Sequence, residues 1–317
     1  MNKKIRVFEA FAGYGSQSIA LRNIGVPYEV VGISEIDKYA IKAYEAIHGK
    51  VNNLGDISKI KAEDIPEHDL FTYSFPCQDI SVAGNMKGIE KGQTRSGLLY
   101  ECEKVIEHCK PKYLLMENVK NLVGKKFINQ FNSWLEYLES LGYTNYWEVL
   151  NAKDFGIPQN RERVFVVSVL GTHEPYEFPK GFKLEKKIRD ILERETNEEL
   201  FLHDTWEPVV KNGKSVCKQV GTYSLGNFEQ SKRIYSIDYC CPTLTTMRGK
   251  GRVPKILINN HIRVLSSREC FRLMGINDLD IDKIQSSPEI TIPQQYKLAG
   301  NSIVVQVLEH IFKELLL

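Results

Sequence analysis

The sequence predicts an α/β protein: an open, mostly parallel sheet of Rossmann-like type flanked by helices, with a smaller domain inserted late in the chain. Three observations carry this expectation. Strand-like and helix-like periods alternate through roughly the first 170 residues. A glycine turn, Gly13-Tyr-Gly15, joins the first strand to the first helix. The last helix pairs apolar residues at 303/304, 307/308, 311/312 and 315/316, a stripe suited to packing back on the first domain. The first domain is therefore expected to be discontinuous, residues 1–172 with 293–317, and residues 173–292 form the insertion and its hinge.

Composition narrows the class. The 317 residues are 42% hydrophobic, enough for a sizeable core. No run of 18 apolar residues occurs, and Met1-Asn-Lys-Lys-Ile-Arg passes straight into a strand-like run without an apolar signal core. A cytoplasmic protein with no membrane partner is expected. Seven cysteines are scattered without CxxC pairs or His-rich spacing, which argues against a disulfide framework and a zinc site, so no metal is expected. Net charge is only +2, yet residues 208–263 hold ten Lys/Arg and two Asp/Glu. A local +8 on a near-neutral chain suggests a polyanionic partner for that region.

The elements follow in order. Ile5–Phe11 reads as a buried strand, and Ala20, Leu21 and Ile24 continue at helical spacing up to Gly25. The glycines read G-x-G without the third glycine of the dinucleotide fingerprint, which favours an adenosyl ligand lacking a pyrophosphate. Tyr28–Ser34 is a second strand with Glu35 at its tip, 22 residues after Gly13. That is close to the spacing at which an acid meets ribose hydroxyls, although an acid there also suits the positive end of the next helix. Asp56 in Gly55-Asp56-Ile57 reads either as an adenine acceptor at a third strand tip or as a turn aspartate.

A fourth strand, Leu70–Phe75, is cut off by Pro76, which cannot donate to a ladder. Cys77 then sits beyond the strand tip, where carboxyl ends of parallel strands line a ligand crevice. The loop from Ser81 to Gly97 is rich in glycine and reads as a lid or binding loop. A helix resumes with Leu98, Leu99, Cys102, Val105, Ile106 and Cys109, which makes Cys102 and Cys109 core residues. A fifth strand, Lys112–Val119, carries Glu117 after an apolar run. Desolvation there would suit a proton donor, and a salt-bridged strand-end acid is the alternative. Arg161 and Arg163 lie at i, i+2 in an extended segment before the last strand, Val164–Leu170, and would share a face. They could bind phosphate, position an acid, hold a carbonyl or join a surface ion-pair network.

Taken together these segments resemble the cytosine-C5 DNA methyltransferases, over nearly the whole chain and in family order. Phe11-Ala-Gly13-Tyr-Gly15 is similar to the first cofactor motif, Pro76-Cys77-Gln78 to the nucleophile motif and Glu117-Asn118-Val119 to the acid motif. Gln159-x-Arg161-x-Arg163 is similar to the two-arginine motif. Arg268–Gly275 is similar to the segment after the target-recognition region, and Gln294–Ser302 to the closing motif.

The resemblance implies an S-adenosylmethionine-dependent methyltransferase fold and methylation of cytosine C5 in duplex DNA. Cys77 would add to C6 of a flipped base, Glu117 would serve N3, and Arg161 and Arg163 would complete the catalytic set, with Arg163 on the carbonyl oxygen. Phe11 and Gly13 would pack around the adenosyl group, Glu35 would take the ribose and Asp56 the adenine, and Gly15, Ile36 and Ile57 would belong to the same cofactor site. Pro76 and Leu98 would line the same site, and Asn301 and Ser302 would reach the methionine end. Ser81, Ala83, Lys87 and Arg95 would face DNA from the loop, and Thr243, Thr245, Arg248, Gly249, Lys250 and Arg252 from the recognition region. The expected partner is double-stranded DNA, bound by a monomer. A restriction endonuclease acting separately is the one protein partner the resemblance allows. The transfer-RNA branch of the family has an aromatic-rich Cys-Phe-Thr segment that this chain lacks, so duplex DNA is the expected substrate.

Overall fold

The computed structural model describes residues 4–77, 79–80, 88, 96–210, 215–225, 229–247 and 250–317. The chain forms two compact units. One comprises Met1–Leu150, Glu162–Lys180 and Leu308–Leu317, the other Asn151–Arg161 and Gly181–Val307.

The first unit contains β1 (Ile5–Ala10), α1 (Ser16–Asn23), β2 (Tyr28–Ser34), α2 (Lys38–His48), β3 (Leu70–Tyr73), α3 (Cys102–Cys109), β4 (Tyr113–Val119), α4 (Ile128–Ser140) and β5 (Tyr143–Asn151). After a short strand, β6 (Gln159–Asn160), comes β7 (Glu162–Leu170). The sheet runs β2-β1-β3-β4-β7-β5, with β1 parallel to β2 and β3, β3 parallel to β4, and β4 antiparallel to β7. Central strands covered on both faces need apolar residues at every position, and for that reason β3 and most of β4 read as continuous apolar runs. Phe8, Phe71, Tyr73, Leu114 and Met116 join Val105 and Ile106 of α3 and Phe131, Trp134 and Leu138 of α4 in one core. Cys102 is wholly buried and Cys109 packs against the same core, as their helical spacing predicts.

Two expectations about the sheet change. Residues 55–57 form no strand; only Asn53 makes an isolated parallel bridge, to Ile33. Gly55 has φ +78° and the Asp56 carboxylate accepts from the Ser58 amide and hydroxyl, so the chain turns there instead of pairing. The strand leading to Cys77 is therefore the third, not the fourth, and it ends at Tyr73. Leu98 and Leu99 lie in a 3₁₀ turn, Ser96–Glu101, that precedes α3.

The second unit holds an irregular six-stranded sheet of β8 (Phe201–Leu202), β9 (Trp206–Pro208), β10 (Gln219–Tyr223), β11 (Arg233–Ser236), β13 (Lys255–Ile258) and β14 (His261–Val264), ordered β8-β14-β13-β11-β10-β9. The short helix α5 (Glu229–Lys232) leads into β11. A separate bridge pairs β6 with β12 (Cys241–Pro242). Helices α6 (Ser267–Arg272), α7 (Asp278–Gln285) and α8 (Ile292–Asn301) complete it, and α9 (Val305–Leu316) follows. Ser266 caps α6 reciprocally with Glu269, and buried Glu269 takes both Nη groups of Arg263 at 2.7 and 2.8 Å. Val307, Leu308, Ile311 and Phe312 are buried, as the apolar stripe predicts, and Asn23 of α1 donates to Glu309 on α9 at 2.7 Å.

The unit boundaries differ from those expected. Asn151–Arg161 joins the second unit because β6 pairs with β12 and the Gln159 amide spans two of its segments, donating to Leu273 O and accepting from Leu244 N. α8 also belongs there, its Gln295 bonded to Ser267 of α6. Gly300 in α8 lets backbone pass backbone, since a Cβ there would lie 2.0 Å from Thr245 O. Gly300→Ala should destabilise the protein by about 1–3 kcal/mol, which a thermal or urea melt would measure.

Candidate active site

Five segments at the carboxyl ends of β1–β4, with the start of β7, carry the candidate residues of the first unit. The first is the glycine turn. Phe11 sits at φ 56°, rare for a side-chain-bearing residue, with its N–H bonded to Ser34 O at 2.8 Å. Gly13 has φ +59° and open space where a Cβ would stand. Gly15 has φ +79°, and a Cβ there would lie 2.6 Å from the rings of His48 and Tyr44. Thus Gly15 serves packing behind the turn, whereas Gly13 leaves room in front of it.

Glu35 closes this turn. Its Oε2 accepts from Gly13 N at 2.9 Å, and its Oε1 accepts from Ile36 N and Asp37 N at 2.8 Å each. A carboxylate offers about four acceptor positions, so three N–H bonds leave one for a ligand hydroxyl. Asn53, a residue without any signal in the sequence, holds Glu35 from behind: its side chain accepts from Glu35 N and donates to Glu35 O. Asp37 caps α2, and Glu35 accepts from the two N–H groups that precede this helix, so the helix-end reading holds for both acids. Ile36 is 72% exposed beside Glu35, an apolar surface fit for a flat ring. Asp56 behaves as a turn aspartate: the Ser58 hydroxyl and amide hold its carboxyl below the ordinary range against opposing desolvation. Its neighbour Ile57 is buried. Leu98 is partly buried against the core of this unit.

Behind the turn lies a buried acid. Glu9 of β1 is fully buried, its Oε1 accepting from Ser18 Oγ at 2.8 Å, and Ser18 Oγ lies 3.3 Å from Tyr44 OH. Burial pushes the Glu9 carboxyl up to about 7, with the Ser18 and Tyr44 hydrogen bonds opposing that rise.

The nucleophile candidate sits four residues beyond β3. Cys77 is half-buried and forms no disulfide. Asn118, next to Glu117 on β4, donates to Phe75 O at 3.0 Å and so ties the strand carrying the acid to the turn carrying the thiol. Glu117 is 8% exposed, and Arg163 Nε stands 3.2 Å from its Oε1. The antiparallel register explains the pair, because β7 places Arg163 opposite Val119 and Phe165 opposite Glu117. A second Arg163 group, Nη1, donates to Glu162 O, and among the described residues Nη2 has no protein acceptor. Glu117 is therefore both buried and ion-paired.

Arg161 departs from its expected place. It belongs to the second unit, is 4% exposed, and donates to the carbonyls of Leu244 (2.7 Å), Gly300 (3.2 Å) and Ser302 (2.6 Å). Its guanidinium braces three backbone segments of the second unit. The chain passes from one unit to the other between these two arginines.

Asn301 and Ser302 also lie in the second unit, with Asn301 Oδ1 accepting from Thr246 Oγ1 at 2.5 Å. Thr243 Oγ1 donates to Asn160 O at 2.6 Å, a backbone carbonyl of the same unit. Thr245 and Arg252 are exposed. Ser81, Ala83, Lys87, Arg95, Arg248, Gly249 and the Lys250 side chain lie outside the described residues. Among those described, no group of three or more His, Cys, Asp or Glu could hold a metal ion, and no helix is long and apolar enough to cross a membrane.

Comparison with known proteins adds independent findings. Residues 5–317 match the model of the family described as C-5 cytosine-specific DNA methylase. Type II methyltransferase M2.ScrFI of Lactococcus lactis subsp. cremoris is 41% identical, with 98% of this chain and 99% of that protein covered. Orphan methyltransferase M.SssI of Spiroplasma monobiae is 34% identical, with 99% and 97% covered. Among solved structures, the Dnmt2 methyltransferase of S. pombe superposes with a TM-score of 0.75 over 99% of this chain and all of its own, at 24% identity. This last likeness speaks to the fold alone.

Two outcomes are expected from this geometry. Asn53→Ala should weaken binding of an adenosyl ligand by roughly tenfold, since Glu35 loses a bracing partner worth about 1–1.5 kcal/mol; titration calorimetry measures it. Glu9 keeps a proton that the unfolded chain releases near 4.5, so stability should fall as pH rises from 4.5 towards 7. The cost, fully present above that window, is of order 3 kcal/mol. Glu9→Gln should flatten the dependence of the melting temperature on pH across this range.

Proposed function

The chain belongs to the C-5 cytosine-specific DNA methylase family and is a DNA (cytosine-5)-methyltransferase; on that premise we propose that Cys77 is its nucleophile and that Glu117 and Arg163 hold the target base. The observation that carries the proposal is the Glu117–Arg163 pair, tied through Asn118 to the turn that bears the thiol. An acid on β4 and a cation on β7 stand together, and the residue after the acid bonds to the turn that bears the half-buried cysteine, a set suited to the N3 and carbonyl edges of cytosine and to its C6.

The reaction needs covalent help. Cytosine C5 is a poor nucleophile, and adding a thiolate at C6 places electron density on C5. Cys77 forms the C6–S bond while Glu117 donates a hydrogen bond or proton to N3, so the ring's developing charge is taken up as it appears. Arg163 offers its outer amino group to the carbonyl oxygen, and its Nε keeps Glu117 in place. Members of the family use S-adenosylmethionine, which when bound supplies an electrophilic methyl group on a sulfonium. Loss of the C5 proton and departure of Cys77 from C6 then restore the aromatic ring. Because the reacting carbons are enclosed in a duplex, the cytosine leaves the stack before Cys77 can reach it.

The residues present fit the donor. Gly13 keeps space clear, Glu35 has an acceptor position left for ribose, and exposed Ile36 offers a face for adenine. Phe11, Pro76 and Leu98 would line the same site, with Asp56 meeting the adenine edge through Oδ2. Asn301 and Ser302 would meet the methionine end. The basic second unit would contact DNA through Thr245, Lys250 and Arg252. A monomer acting on duplex DNA, with a restriction endonuclease acting separately, is the arrangement these assignments suit.

Purified protein with S-adenosylmethionine should place 5-methylcytosine in one short sequence context of genomic DNA, read by single-base mapping. Cys77→Ala should abolish this product, and Glu117→Ala should lower kcat by about 10²–10⁴-fold. Methylation by Cys77→Ala at the wild-type rate would sink the covalent mechanism.

A further inference from the structure

We infer that Ser96, Asp79 and Asn121 are positioning residues for Cys77, acting through the backbone of the turn that carries it. The inference rests on the nucleophile reading above. β3 ends at Tyr73, so the carbonyls of the following turn have no strand to pair with. Donors from other segments serve them instead. Ser96 Oγ donates to Pro76 O at 2.6 Å, Asn121 Nδ2 to Ile80 O at 2.6 Å, and Asn118 Nδ2 to Phe75 O at 3.0 Å. Within the turn Ile80 N donates to Cys77 O at 3.0 Å, and Gly88 N reaches Asp79 O at 2.8 Å. The Asp79 carboxylate in turn accepts from Ser96 N at 3.3 Å, so these two residues hold each other as well as the turn. Ser96 is fully buried and Asp79 is 5% exposed.

The bond from Ser96 to Pro76 bears most directly on the thiol. Pro76 C=O belongs to the planar peptide that joins Pro76 to Cys77. Pinning that oxygen fixes the peptide plane, and with it the direction in which the Cys77 Cα–Cβ bond leaves the chain. A hydrogen bond on the carbonyl also polarises that amide. The other end of that amide is the N–H of Cys77 itself. Pro76 and Cys77 are both half-buried, within reach of solvent. Ser96 before α3, and Asn118 and Asn121 at the end of β4 and in the turn after it, fix Phe75 O, Pro76 O and Ile80 O, carbonyls on both sides of Cys77. Holding them serves orientation, because a nucleophile displaced by about 1 Å loses on the order of 10²-fold in rate.

The test uses the full chain and a duplex containing the mapped methylation site. Ser96→Ala, Ser96→Thr and Asn121→Ala are compared with wild type and with Cys77→Ala. Three quantities are read: the dissociation constant for S-adenosylmethionine, kcat and KM for methylation, and the rate of covalent capture by a duplex with 5-fluorocytosine at the target. Fluorine cannot leave C5 as a proton does, so the cysteine adduct persists after methyl transfer. Ser96→Ala and Asn121→Ala should lower capture and kcat by roughly 10–100-fold while cofactor affinity and KM stay within about threefold. Ser96→Thr, which keeps the hydroxyl, should recover to within about threefold of wild type. Capture by Ser96→Ala within about twofold of wild type would overturn the inference, and so would a parallel loss of cofactor affinity, the mark of a merely structural role. Failure of the nucleophile reading looks different, since Cys77→Ala would then itself methylate or capture.

Discussion

Parallel ladder bonds between Leu70–Tyr73 and Tyr113–Met116 are the constraint on which the site depends. They bring the ends of two buried strands side by side, one leading to Cys77 and the other to Glu117. Apart from Tyr113, both strands are buried along this stretch, and their Phe71, Tyr73, Leu114 and Met116 pack with Val105 and Ile106 of α3 and Phe131 and Trp134 of α4 in one core. β7 then enters antiparallel to β4 and delivers Arg163 beside Glu117. The ion pair is a consequence of register, set far from it by Val166, Val167 and Val169, all buried.

The polar groups around this frame are held by a common device, in which a second side chain secures the backbone next to a working one. Asn53 brackets Glu35 at both its N–H and its C=O, Asn118 secures the turn before Cys77, and Ser96 and Asn121 secure it further. Amides and hydroxyls suit this task because each can meet a backbone group at fixed distance without bringing charge into a buried place. Buried carboxyls such as Asp79, which accepts from Ser96 N, depart from this, and Glu9 goes furthest. It is a carboxyl buried with one hydroxyl partner at its Oε1, and it keeps its proton at pH values where an exposed glutamate would not.

The second unit uses buried polar groups as stitches. Gln159 and Arg161 together bond to the backbone of Leu244, Leu273, Gly300 and Ser302, segments far apart in sequence. A small, irregular sheet with short strands lacks the ladder length to hold such segments alone. The two arginines of one sequence motif thus lie in different units: Arg161 ties segments of the second together, and Arg163 pairs with Glu117 in the first.

Much was legible without coordinates. Strand and helix alternation, the glycine turn, the Pro76 stop before Cys77, and the acids at strand ends are local patterns, because apolar period and proline geometry act over a few residues. Those patterns, in family order, determined the fold class, the family and the catalytic candidates. They did not determine that residues 55–57 turn instead of pairing, since Gly55 and the Asp56–Ser58 bonds outweigh a short apolar signal. They did not separate Arg161 from Arg163, two residues apart, nor reveal Asn53, Ser96 and Asn121. Those roles depend on contacts across 18 to 41 positions of chain, as from Asn53 to Glu35 and from Asn121 to Ile80. Distance in space between such residues is decided only when the sheet closes, and an asparagine or serine carries no mark in the string of which carbonyl it will meet.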